Sequence, residues 1–109
     1  MLYKSILTLL FSFLLSSTAL AENYYVDIKN KTGYTIMYMY ISPDKSKKWE
    51  EDVLGDDTLA DGDTQRVKLR KYSSPIFDIR LIDEEDDQYT FWNVDVSRQN
   101  ITVTLDDLD

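Results

Sequence analysis

Polar and apolar residues alternate along most of the chain beyond residue 23, and that alternation predicts strands. Tyr24, Val26 and Ile28 share one face of a stretch whose other face carries Asp27 and Lys29, the period of two of a half-buried strand. Asn30-Lys31-Thr32-Gly33 reads as a turn, because Asn and Gly tolerate positive φ. Tyr34 to Ser42 is apolar at nearly every position, with Ile36, Tyr38 and Tyr40 facing one way and Met37, Met39 and Ile41 the other. A strand apolar on both faces is expected at the centre of a sheet, covered on each side. Pro43 ends it. The charged run Asp44 to Glu51, around Trp49, is expected to form a single helical turn capped by Ser42 or Asp44. Val53-Leu54 and Leu59 are spaced as anchors that pin this loop to the core, with Gly55 and Gly62 as turn points.

The alternation resumes at Thr64, with Val67 and Leu69 inside and Arg66, Lys68 and Arg70 outside. After the break Ser73-Ser74-Pro75, Ile76 to Ile82 sets Phe77, Ile79 and Leu81 against Ile76, Asp78, Arg80 and Ile82. Asp83 to Asp87 is an all-acidic hairpin loop without glycine. Gln88 to Val94 returns with Tyr89, Phe91 and Asn93 opposite Thr90, Trp92 and Val94. Ile101, Val103 and Leu105 make a closing strand, and Asp106 to Asp109 is expected to fray. Six strands, a short seventh near Val53-Leu54 and no long helical pattern predict an all-β fold. The architecture expected is a small antiparallel β-sandwich, Ig-like or Greek-key.

The first 21 residues break this pattern and read as a signal peptide. Lys4 gives a positive start, Ile6 to Leu15 is apolar apart from Thr8 and Ser12, and Ala19-Leu20-Ala21 presents small residues for cleavage after Ala21. The apolar core is shorter than the ~20 residues that span a bilayer. The remaining domain, residues 22–109, is then exported to the periplasm or the extracellular space, without membrane insertion after cleavage and as a monomer.

Charge narrows the partners. All 20 Asp and Glu lie beyond the leader, against 11 Lys and Arg once Lys4 is set aside, a net charge of −9. Such a domain repels nucleic acid and anionic lipid and attracts cations and basic proteins. It has no cysteine and no histidine. That removes disulfides, His-based or Cys-based nucleophilic triads and conventional zinc sites. Its three glycines stand too far apart for a phosphate-cradling loop.

Several runs together resemble a group of small secreted bacterial proteins without established function. They are T-G-Y-T-I at Thr32 to Ile36, M-Y-I-S-P at Met39 to Pro43, W-E-E-D at Trp49 to Asp52 and L-G-D-D at Leu54 to Asp57. L-A-D-G-D at Leu59 to Asp63 and F-D-I-R-L-I-D at Phe77 to Asp83 complete the series. The resemblance covers nearly the whole region after the leader and implies a compact exported β-sandwich. The chain departs from that pattern at Glu50 and in the acidic hairpin, where the group usually has glycine. The resemblance implies no mechanism.

Candidate chemistry is confined to loops and aromatics. Asp52, Asp56, Asp57, Asp61 and Asp63 form a carboxylate pool that admits weak calcium binding, although no EF-hand spacing is present. The simpler reading is solvated charge that keeps the protein soluble and its strand edges apart. Trp49, with Glu50 and Glu51, is the candidate partner-binding group, weighed against a lid over one end of the sandwich. Tyr24, Tyr25, Tyr34, Tyr38 and Tyr40 suggest a carbohydrate-stacking face, weighed against packing in the core. Asn30-Lys31-Thr32 and Asn100-Ile101-Thr102 match the glycosylation sequon, with Asn30 the better placed, and carry no meaning in a bacterial source. The expectation is a non-catalytic binding or interaction module with no required cofactor. The alternatives are an acidic inhibitor of a basic exported enzyme such as a lysozyme or protease, acting through Asp44 to Asp52, and a calcium-binding envelope domain.

Overall fold

The computed structural model describes residues 20–109, so most of the predicted leader lies outside the described residues. Leu20 and Ala21 are exposed and lead directly into β1. The strands are β1 (Glu22–Asn30), β2 (Ile36–Pro43), β3 (Thr64–Tyr72), β4 (Ile76–Asp83), β5 (Gln88–Asp95) and β6 (Ile101–Val103). They form two three-stranded sheets, ordered β3-β1-β6 and β2-β4-β5, packed together as an all-β sandwich. All pairings are antiparallel except β1 with β6, which run parallel from Ile28 opposite Ile101 to Asn30 opposite Val103. Among the described residues no helix is long and apolar enough to cross a membrane.

Inward-facing residues of both sheets merge into one core of seventeen buried apolar side chains, with Tyr24, Tyr72 and Phe91 packed against it. Leu54 and Leu59 belong to this core, as their spacing predicts, and burying each such side chain stabilises by about 1.5–3 kcal/mol. The central strand is β4, whose Phe77, Ile79 and Leu81 are wholly buried. β2, the most apolar run, is instead an edge strand covered on one face only. Its pattern misleads because Met37 is an extra residue: Ile36 pairs with Asp83 and Tyr38 with the adjacent Ile82. This bulge lets Ile36 and Met39 both face the core, leaving Tyr38 and Tyr40 outward.

The free edge of β2 is closed by the long loop after it. Ile36 and Leu59 exchange backbone hydrogen bonds at 2.9 Å each way, and Val53 N–H donates to the Met39 carbonyl at 2.8 Å. An uncovered edge is a template for intermolecular pairing, and this loop removes it. The predicted seventh strand reduces to a single bridge of Asp52 with Tyr40, after which Val53-Leu54 bends away, and Asp44 to Glu51 makes turns and no helix. The segment after β6 does not fray. Thr104 and Asp107 form a capping box on a 3-10 turn at Leu105–Asp107. Asp109 then fastens to β5, its carboxylate accepting from Thr90 N–H at 2.9 Å and from Thr90 Oγ1 at 2.7 Å.

Side-chain acceptors replace disulfides as fasteners. Asn30 is fully buried, donating from Nδ2 to the carbonyls of Tyr34 (2.7 Å) and Leu59 (2.9 Å). Its Oδ1 accepts from Thr32 N–H at 3.0 Å and Oγ1 at 2.8 Å. Both amide protons are thus spent inside the protein, and Asn30 is no glycan acceptor in this fold; Asn100 is the exposed one of the two sequon asparagines. In the acidic hairpin, buried Asp83 accepts from Glu85 N–H, Asp87 N–H and the Tyr89 hydroxyl, the last at 2.7 Å. Asp86 takes the left-handed φ of 62° that a glycine would otherwise supply.

A candidate binding face on the outer surface of one sheet

The outer face of β2-β4-β5 gathers the exposed aromatic residues. Trp92 is 61% exposed and its ring centroid lies 5.9 Å from that of Trp49, with the rings tilted by 39°. The Arg80 guanidinium lies over both, 4.9 Å from the Trp49 centroid and 5.9 Å from that of Trp92, an attraction between cation and ring quadrupole. Arg80 is itself held by donation from Nε to Thr90 Oγ1 at 3.0 Å. Tyr38, 45% exposed, continues the face along β2.

Trp92 sits beside a second bulge. Ile79 pairs with Phe91 and Phe77 with Val94, so Trp92 and Asn93 together oppose Asp78. Asn93 takes a φ of 55°, and its N–H donates to Asp78 Oδ1 at 2.9 Å. The extra residue returns Val94 to the core, against the strict alternation that places it outward with Trp92, and Asn93 becomes exposed. Bulges concentrate where a side chain must be re-aimed. Between the indoles and the edge of the sheet is a concavity of about 130 Å³, lined by Ser42, Lys47, Lys48, Asp78 and both tryptophans among others.

The loop residues singled out by sequence part company. Trp49 lies on the sheet's outer face, not over an end of the sandwich, because Arg80 and Trp92 offer it a stacking site there. Glu50 instead accepts from the Tyr72 hydroxyl at 3.4 Å. Burial, followed by the Glu50 charge and hydrogen bond, pushes the Tyr72 phenol above its ordinary range. Glu51 is exposed and lines a different, open groove with Arg66 and Lys68.

The five carboxylates of the proposed calcium pool serve separate purposes. Asp52 Oδ1 accepts from Met39 N–H at 2.9 Å and Leu54 N–H at 3.0 Å, fastening the loop to β2. Asp61 accepts from Gly33 N–H at 2.9 Å. Asp56, Asp57 and Asp63 are exposed. Among the described residues no three acidic side chains gather as a metal-holding group.

The tyrosines do not form one row, and of the five only Tyr24 packs against the core. Tyr25 and Tyr38 stand exposed on different sheets, and Tyr24, Tyr34 and Tyr40 are half-buried. The residues that sequence reading passed over are Trp92, Arg80 and Asp78. Their signal was a tryptophan on the outward side of β5, on the same face as two charged residues of β4. Two larger concavities, about 330 Å³ beside Asn23 and Arg98 and about 650 Å³ between Glu51–Gly55 and Gln65–Lys68, bring no two aromatic rings into contact. Compared with protein-family models, curated proteins and solved structures, the chain matches none.

Proposed function

We propose that the chain, once exported, is a non-catalytic binding module whose contact surface is the Trp49–Arg80–Trp92 face. The observation that carries this is Trp92, an indole 61% exposed yet held in place by a neighbouring indole and an arginine. A large aromatic surface fixed in advance loses little side-chain entropy on binding, which is why Trp and Arg dominate interface energetics. Absence of His and Cys from the sequence removes nucleophiles and general bases of those two types.

The acidic-inhibitor reading ranks second. Its loop, Asp44 to Asp52, carries Lys45, Lys47 and Lys48 against Asp44, Glu50, Glu51 and Asp52, too balanced to concentrate the field that would steer a basic enzyme. The test is affinity capture from an envelope fraction with the wild-type chain, Trp92→Ala and Tyr25→Ala. Capture should be lost in Trp92→Ala and kept in Tyr25→Ala. Equal capture by all three would remove this face as the contact surface.

A further inference from the structure

We infer that the face binds a neutral, polyhydroxylated ring ligand, a glycan, with Trp92 as its stacking platform and Asp78 and Arg80 as its hydrogen-bonding groups. The inference rests on the reading that this face is the contact surface and adds the chemistry of what it contacts.

Several polar groups at this face make no use of their full hydrogen-bonding capacity within the protein. Asp78 is 9% exposed, and its Oδ1 is occupied by Asn93 N–H. Among the described residues its Oδ2 takes no protein hydrogen bond, and the carboxylate has no ion pair, the two ion pairs being Asp27–Arg66 and Asp95–Arg98. No wholly buried side-chain oxygen or nitrogen among the described residues lacks a partner, so Asp78 Oδ2 is open to solvent and free to accept from a ligand. Asp78 lines the concavity between the indoles and Ser42. Arg80 spends only Nε, on Thr90, so its terminal N–H groups also lack protein acceptors. Lys47 and Lys48 border the same concavity unpaired.

The charges decide between ligand classes. An anionic ligand would meet the partly desolvated Asp78 carboxylate. A cationic ligand would meet Arg80, Lys47 and Lys48, and the cation position over the rings is already held by Arg80. A neutral ligand carrying both donors and acceptors meets no like charge and can use both sets. Hydroxyl groups donate to Asp78 Oδ2 and accept from Arg80, while the weakly positive C–H edge of a sugar ring faces the negative face of an indole. The volume of about 130 Å³ takes about one ring, below the ~300 Å³ of a drug-sized pocket. Further rings would run toward Tyr38. It lies two side-chain pairs along the sheet from the level of Asp78, since Tyr38 pairs with Ile82 and Tyr40 with Arg80.

The experiment titrates the chain by tryptophan fluorescence and calorimetry with cellotriose, maltotriose and triacetylchitotriose. Trigalacturonate and trilysine serve as charged controls. At least one neutral trisaccharide should saturate, with an affinity unchanged when NaCl is raised. Trp92→Ala and Asp78→Asn should each weaken it roughly tenfold or more, the scale set by losing one good contact, while Tyr25→Ala leaves it unchanged. Asn at 78 keeps the acceptor for Asn93 N–H, so the bulge survives. Saturation by trilysine or trigalacturonate in place of the neutral sugars would overturn the inference, as would silence from all three sugars. If the sugars fail while capture from the envelope fraction still depends on Trp92, the ligand class falls and the contact surface stands. If Trp92→Ala changes neither, both fall.

Discussion

Each sheet turns an arginine and an aromatic residue outward, and the two pairs are finished differently. On β3-β1-β6, Arg66 lies 4.1 Å over the Tyr25 ring and is tied to Asp27 by two hydrogen bonds, at 2.8 and 3.0 Å. The hydrogen bond and charge of Arg66 hold the Asp27 carboxyl below its ordinary range. On β2-β4-β5, Arg80 lies over two indoles and forms no ion pair among the described residues, while Asp78, two residues before it on β4, accepts from Asn93 N–H and lines the concavity. On the first face the carboxylate is spent on the arginine, and on the second it is not. Free donors and acceptors beside an exposed ring, more than the ring itself, separate a contact surface from a decorated strand.

The largest effect should come from breaking both faces at once. Asn30→Ala strips donors from two carbonyls and the acceptor from Thr32, at a junction between β1, the turn before β2 and the loop that closes its edge. Stranding such buried groups is expected to cost about 3 kcal/mol. Thermal denaturation should show a large loss of Tm in one cooperative step. A Tm near wild type would show that the clasp carries little of the stability.

The sheets also differ within. Tyr89, wholly buried in β5, donates to Asp83, and burial first, then this hydrogen bond and the Asp83 charge, push its phenol well above the ordinary tyrosine range. The native state therefore retains a proton that the unfolded chain releases. The contribution is complete below pH 10 and is lost as pH rises toward the folded value, by up to about 1.4 kcal/mol per pH unit. Chemical denaturation at increasing alkaline pH should show the stability gap between wild type and Tyr89→Phe narrowing. A gap that stays constant would mean Tyr89 ionises alike in both states.

Smaller effects test the first face. Asp27→Asn should lower Tm only slightly and leave capture through Trp92 intact, since exposed ion pairs contribute little. A loss comparable to that of Asn30→Ala would invert the comparison. The smallest effect expected is that of calcium. With the pool's carboxylates spent on backbone groups or spread over the surface, CaCl₂ should move Tm no more than NaCl of equal ionic strength, and a clear upward shift would restore the calcium reading.

Much of the fold is legible along the chain because burial on one side of a strand imposes a period of two. All six strands, the inward sets of β1, β3 and β4 and the anchoring by Leu54 and Leu59 follow from it. The facing of β2 and the end of β5 does not follow. One extra residue at Met37 or Asn93 reverses the alternation beyond it without changing composition. The candidate site was hidden for a different reason. Trp49 and Trp92 stack across 43 positions of sequence, and no local spacing reports which loop folds over which strand.

The sequence by itself determined an acidic all-β domain without His or Cys chemistry, because composition and period are properties of a chain read in order. Only the tertiary structure decided that the most apolar strand stands at an edge and that Asp52 and Asp61 fasten a loop. It also decided that an indole of β5 faces outward beside a carboxylate with an open acceptor. These depend on which strands pair and on what each acceptor meets across space, and side-chain hydrogen bonds act only over distances that folding creates.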